Sequence, residues 1–193
     1  EGKVSFYTCG PTVYHYAHIG NMRNYIGHDI LDKTLRFIGF DVTRCMNITD
    51  VGHLTSDSDS GDDKMVASAK KEHKSVLDIA SFYTDAFFKD FDALNCKRPE
   101  IVSNATDNIE EYIKIITKLL EDGYAYKAGG NVYFDTSKLK DYYVLTNHKE
   151  DDMVVGARES VEYDASKKNQ ADFALWFTKS KFDSQELKWE SPF

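Results

Sequence analysis

Several things are scarce in this sequence of 193 residues, and each scarcity removes a class of protein. It has no run of about 18 apolar residues, so no segment reads as a helix that crosses a bilayer, and no membrane partner is expected. Its opening, Glu1-Gly-Lys-Val-Ser-Phe-Tyr7, lacks the basic and then apolar order of a secretory leader. A soluble, cytoplasmic protein is the expectation. Positive charge is short: 24 basic residues face 32 acidic ones for a net charge of -8. A surface that neutralises phosphates along a nucleic acid needs the opposite balance, so composition argues against nucleic-acid binding as the main task. The cysteines number three, Cys9, Cys45 and Cys96, an odd and widely spaced set unlike the dense even set of a small disulfide-stapled fold. Reduced thiols follow. No CxxC pair occurs, so no complete zinc site is legible from spacing, and a metal would have to gather distant ligands. There are no internal repeats, and no low-complexity stretch beyond the Ser/Asp-rich residues 55 to 63.

What is present begins with 41% hydrophobic residues, enough to bury a sizeable core in one domain or in one domain with a lobe. Residues 4 to 9 are β-branched and aromatic and read as a buried strand, ended by the turn chemistry of Gly10-Pro11. Ile26, Ile30, Leu31, Leu35 and Ile38 then recur at helical spacing until Gly39, a residue suited to the left-handed position past a helix end. Residues 41 to 48 return as a second strand. Strand, helix and strand make one βαβ unit with parallel pairing, which brings the Cys9-to-Thr12 end of the first strand beside the Asn47-to-Asp50 end of the second. Ligands of open parallel sheets bind along that edge. Ser75-Val-Leu-Asp78 forms a capping box ahead of Ile79, Tyr83, Phe87, Phe91 and Leu94 on a second amphipathic helix.

Beyond Pro99 the pattern changes. Asp107 and Glu110 open a helix bearing Ile109, Ile113, Ile116 and Leu120 and closed by Gly123, and residues 124 to 135 hold two aromatic runs around Gly129-Gly130, a hairpin signal. The expected division is therefore a first nucleotide-binding half over residues 1–98, a mixed α+β lobe over 99–176 and a return segment over 177–193.

The sharpest local feature is His18-Ile-Gly20-Asn21, at the start of the long helix. Unpaired backbone N–H groups and the positive end of the helix dipole make such a place a phosphate site, and a glycine admits a ligand close to the backbone. Imidazole and carboxamide donors there can hold phosphate oxygens as charge builds. The same residues also suit a plain helix cap. His53 with Asp57, Asp59, Asp62 and Asp63 fails the EF-hand spacing and reads as a solvated loop rather than a metal site.

The fifteen-residue run Cys9-Gly-Pro-Thr-Val-Tyr-His-Tyr-Ala-His-Ile-Gly-Asn-Met-Arg23 resembles the signature of cysteinyl-tRNA synthetases, with the class I "HIGH" box at its end. The likeness continues in order through Leu35-Arg-Phe-Ile-Gly-Phe40, Asn47-Ile-Thr-Asp50, Asp62-Asp-Lys64, Phe91-Asp-Ala-Leu-Asn95, Gly156-Ala-Arg158, Lys168-Asn169, Asp172-Phe-Ala-Leu-Trp176 and Trp189-Glu-Ser-Pro192. The resemblance implies an α/β, Rossmann-like parallel-sheet domain with an inserted connective lobe, in a monomeric enzyme. That enzyme would activate L-cysteine with ATP and Mg2+ to cysteinyl-adenylate and pass it to tRNA(Cys). It implies ATP binding by His18, Gly20 and Asn21, with His18 and Asn21 catalytic. It implies cysteine binding by Cys9, Gly10, Thr12 and Thr49, and Zn2+ with Cys9 as one ligand. Serine and cysteine differ by one atom, so pocket shape would supply only about 1 to 3 kcal/mol of discrimination, whereas a thiolate bond to zinc rejects a hydroxyl more strongly.

Two departures stand out. Asn21 occupies the last position of the HIGH box where the family usually has histidine. The family's remaining zinc ligands, its second ATP-binding lysine loop and its anticodon-binding helices would lie beyond Phe193, so the 193 residues alone are expected to hold little or no metal and not to complete the reaction. Two rival readings share the motifs: a ligase joining cysteine to an amino sugar in mycothiol synthesis, and a non-catalytic paralogue that binds cysteine, nucleotide or protein.

Overall fold

The computed structural model describes residues 2–51, 75–145, 166–178 and 187–193. The Ser/Asp stretch with its His53 and aspartates, and the 62–64 and 156–158 motifs, lie outside the described residues. The chain divides into two compact units, the first taking in the described residues up to Asn108 and the second running from Ile109 to Phe193.

In the first unit, β1 (Lys3–Thr8), α1 (Ile19–Phe37) and β2 (Asp41–Ile48) form the βαβ arrangement, with β1 and β2 parallel from Lys3↔Asp41 to Thr8↔Met46. Helix α1 ends where Gly39 takes φ +96°, a conformation costly for a residue with a Cβ. Helix α2 (Val76–Ala93) is capped by Ser75, whose Oγ accepts from the Asp78 N–H at 3.1 Å and donates to the Asp78 carboxylate at 2.6 Å. Strand β3 (Ile101–Asn104) then pairs parallel with β2 and completes a sheet of order β1-β2-β3. This moves the division between units later than the expected boundary at 98: pairing with β2 draws residues 101 to 104 into the first sheet.

The strand in the middle, β2, alternates strictly, with Val42, Arg44, Met46 and Ile48 buried. The helices meet through aromatic rings, Tyr25 lying 5.0 Å from Phe87 and 6.4 Å from Phe91. The buried positions of α1 are Met22, Tyr25, Asp29 and Asp32, whereas Ile30 and Leu31 of the apolar stripe are exposed. Two carboxylates are tolerated there because each is paired. Asp29 takes Lys33 Nζ at 2.7 Å and the Lys97 N–H at 2.7 Å, and Asp32 takes Arg36 Nε at 2.5 Å and lies 3.5 Å from Arg44 Nε. Glu100 joins this cluster by accepting from Arg36 Nη2 and from the Arg44 N–H, each at 2.8 Å, and by pairing with Lys97. Burial alone would raise its carboxyl, but the hydrogen bonds from Lys97 and from the Arg44 backbone outweigh burial and bring it down to about 2.

The second unit contains α3 (Ile109–Glu121), β4 (Ala125–Ala128), β5 (Asn131–Phe134) and β6 (Phe173–Phe177). A short 3-10 turn (Thr106–Asn108) takes the place of the expected first turn of its helix. The sheet order β4-β5-β6 is antiparallel throughout, and Gly129 and Gly130 both take positive φ in the hairpin turn, as a two-residue primed turn requires. The expected boundary between 176 and 177 falls inside β6. Ile116, Ala125 and Val132 form its core, with Leu175, Trp176 and Phe193 packed against them. Asp172, 2% exposed, accepts from the Thr136 N–H and Oγ1, the Asn169 N–H and the Tyr126 hydroxyl, and so pins β6 to β4 and to the turn after β5. Among the described residues no helix is long and apolar enough to cross a membrane.

Candidate functional site

The site grows from the carboxyl ends of β1 and β2. Thr8 is the last residue of β1, and Cys9 follows as an exposed free thiol. Gly10 passes so close to β2 that a Cβ there would stand 1.7 Å from the Asn47 carbonyl oxygen, so no side chain fits without moving backbone. The contact is fixed by polar bonds. The Gly10 N–H donates to Asn47 Oδ1 at 2.8 Å, the Tyr7 hydroxyl donates to the same oxygen at 2.7 Å, and Asn47 Nδ2 donates to Thr49 Oγ1 at 3.0 Å. One step further, Thr12 and Thr49 form a parallel bridge, with the Thr49 N–H on the Pro11 carbonyl and the Val13 N–H on the Thr49 carbonyl. The loop after β1 is thus stitched to the end of β2 residue by residue.

That loop delivers the chain to α1 at His18. His18 is the N-cap: its Nδ1 accepts from the Gly20 N–H at 3.0 Å, while Asn21 Oδ1 accepts from the His18 N–H at 3.1 Å. This is a capping box written with imidazole and carboxamide. With Nδ1 used as an acceptor, the neutral ring carries its proton on Nε2. The first turn of α1 holds no acidic side chain of its own to offset the positive end of the helix.

A cavity of about 460 Å3 opens here, lined by Gly10, Thr12, Tyr14, His18, Asn21 and Tyr25 among others. The structure therefore gathers Gly10, Thr12, His18 and Asn21 around one space. Gly20 lies in the first turn of α1, and Cys9 and Thr49 adjoin the cavity at the strand ends without lining it. Sequence reasoning passed over Asn47 and Tyr25 as site residues. Asn47 was visible as a polar residue closing a buried strand, and Tyr25 as the position one turn beyond Met22 on the face that starts at His18. Tyr25 is 5% exposed, and burial, followed by the charge of Cys9, pushes its hydroxyl up to about 12. It stays a neutral donor at the wall of the cavity.

The described residues do not by themselves fit a zinc ion. Among them no group of three or more His, Cys, Asp or Glu side chains could hold a metal, and a tetrahedral site needs three protein ligands beside one open position. Cys9 offers a single sulfur donor.

Residues 1–193 match the family model described as tRNA synthetases class I (C) catalytic domain. A Cysteine--tRNA ligase of Treponema denticola is 57% identical over 192 residues, 100% of this chain and 39% of that protein. A Cysteine--tRNA ligase of Borrelia turicatae is 48% identical over 189 residues, 98% of this chain and 39% of that protein. That of Zymomonas mobilis is 48% identical over 190 residues, 98% of this chain and 36% of that protein. The chain thus spans less than two fifths of the length of these relatives. A LeuRS of Agrobacterium radiobacter K84, solved in a ternary complex with tRNA and LeuAMS, shares the fold at a TM-score of 0.52. It is 19% identical, and the match covers 69% of this chain and 17% of that one.

Proposed function

Since the chain belongs to the family of class I (C) tRNA synthetase catalytic domains, we propose that it is the amino-terminal part of an enzyme that activates L-cysteine with ATP and esterifies tRNA(Cys). The observation that carries this reading is the cavity that gathers Gly10 and Thr12, next to Cys9 in the chain, with the capped start of α1, in a chain 57% identical to a Cysteine--tRNA ligase.

The chemistry asks for position and charge more than for covalent help. A carboxylate oxygen of cysteine attacks the α-phosphorus of ATP, the new oxygen–phosphorus bond forms as the bond to pyrophosphate breaks, and negative charge spreads over the phosphoryl oxygens. His18 Nε2–H and the Asn21 carboxamide N–H, set at the positive end of α1, are the donors that meet that charge. The capping box fixes His18 and Asn21 on each other before substrate arrives, so their orientation costs little at the moment of reaction. Gly10 and Thr12 line the amino-acid end, with Thr49 beside them. Mg2+ accompanies ATP as part of the substrate. Among the described residues, Cys9 is the ligand offered to a zinc ion that would select the thiolate of the substrate. The remaining ligands belong to other parts of the protein, and transfer to the terminal ribose of tRNA(Cys) likewise draws on surfaces beyond these residues.

The reading is tested by charging tRNA(Cys) with the full-length gene product and its Cys9→Ser variant. The native protein is expected to form cysteinyl-tRNA and Cys9→Ser to lose at least about a hundredfold in rate, since zinc binds a hydroxyl poorly. Charging that Cys9→Ser leaves intact would remove Cys9 from amino-acid selection. Transfer of cysteine to an amino sugar in place of tRNA would favour the mycothiol-type ligase.

A further inference from the structure

We propose that Asn47 is a positioning residue for cysteine recognition, which holds Gly10 and turns the Thr49 hydroxyl into an obligatory donor toward the bound amino acid. The proposal rests on the functional reading above. The Asn47 side chain meets both halves of the expected cysteine site at once. Its Oδ1 takes the Gly10 N–H at 2.8 Å and the Tyr7 hydroxyl at 2.7 Å, so both lone pairs are used. Its Nδ2 gives a proton to Thr49 Oγ1 at 3.0 Å. The amide has only one workable orientation, because a flip would set its NH2 against the Gly10 N–H, which can only donate.

The consequence falls on Thr49. Its N–H is spent on the Pro11 carbonyl at 3.0 Å, and its carbonyl accepts from Val13 at 3.2 Å, so its backbone is held. Its hydroxyl oxygen accepts from Asn47, and among the described residues its proton has no acceptor. That hydroxyl is left with a proton to give and a fixed base from which to give it. The near-contact between Gly10 and the Asn47 carbonyl holds the other side of the site in register with it. A polar group placed in this way contributes to affinity through the ligand that satisfies it.

Asn47→Asp tests the idea with almost no change of shape. The carboxylate still accepts from Gly10 and Tyr7, but it has no proton for Thr49, and the Thr49 hydroxyl turns to donate to it instead of to the ligand. In cysteine-dependent ATP–pyrophosphate exchange by the full-length gene product, Asn47→Asp is expected to raise KM for cysteine about tenfold while KM for ATP stays within about twofold. Thr49→Val is expected to do the same, and the double variant to be no worse than either single one, as for two residues acting as one unit. Tyr7→Phe, which removes the hydrogen bond from the Tyr7 hydroxyl to Asn47 Oδ1, is expected to raise KM for cysteine by about threefold, and it keeps the test open should Asn47→Asp fold poorly. Effects of Asn47→Asp and Thr49→Val that multiply, or KM values for cysteine and ATP that rise together, would overturn the proposal. If the unaltered protein shows no cysteine-dependent exchange, the functional reading itself fails and this inference with it. If that protein is active and Asn47→Asp matches it, this inference alone is lost.

Discussion

In the proposed function, His18 serves fold and chemistry through different atoms. Nδ1 accepts from the Gly20 N–H and caps α1, which leaves Nε2–H for a phosphate oxygen. The two duties separate by substitution. His18→Ala removes both: it should cost about 0.5 to 2 kcal/mol of stability through the lost cap and about a hundredfold in pyrophosphate exchange through the lost donor. His18→Asn restores a strong N-cap with a shorter arm, so its melting temperature should return to near the native value while exchange stays low. A thermal melt beside an exchange assay reads both. Exchange that recovers together with the melting temperature would mean that His18 acts through the cap alone. At this scale the sequence was informative about which residues to inspect and silent about how they share protons. His18-Ile-Gly-Asn21 was legible as a helix start, but the reciprocal bonds that tie His18 to Asn21 depend on backbone geometry that letters do not carry.

At the scale of elements, local signals succeeded where they were strong. The β-branched runs of β1 and β2, the stop at Gly39, the Ser75 cap and the Gly129-Gly130 turn each act within a few residues, and each appears in the structure. Strands β3 and β6 were missed for one physical reason. Ile101–Asn104 is four residues without alternation, and Phe173–Phe177 is apolar at every position, so each becomes a strand only through a distant partner, β2 and β5 respectively. The buried charge cluster between α1, β2 and Glu100 was invisible likewise, since Asp29, Asp32 and Arg44 look like surface residues until they pair. That cluster gives the first unit a pH dependence. The Glu100 carboxyl falls from an ordinary 4.5 to about 2 on folding, so its contribution is complete above pH 4.5 and is lost as pH falls toward about 2. Urea unfolding followed from pH 7 to pH 2 should show native stability declining below about 4.5. Glu100→Gln should be less stable at neutral pH and should flatten that part of the curve. An unchanged slope in Glu100→Gln would assign the decline to other carboxylates.

At the scale of the molecule, the first unit has a parallel sheet whose strand ends carry the thiol, the tight glycine and the capped helix, all within residues 9 to 49. Among the described residues, the second unit is a separately cored antiparallel sheet with one α-helix, held by the Asp172 hydrogen bonds. Its role as a connective lobe, and that of the first unit as half of a catalytic domain, remain our proposal. The acidic balance of 24 basic to 32 acidic residues accords with the proposal that these residues handle cysteine and ATP more than they grip a long nucleic acid. The central claim, that this sheet edge activates cysteine, is tested most directly by ATP–pyrophosphate exchange with the full-length gene product supplied with zinc, one amino acid at a time. Exchange with cysteine and background rates with serine are predicted. A folded protein that exchanges with no amino acid, or with serine as fast as with cysteine, would contradict it.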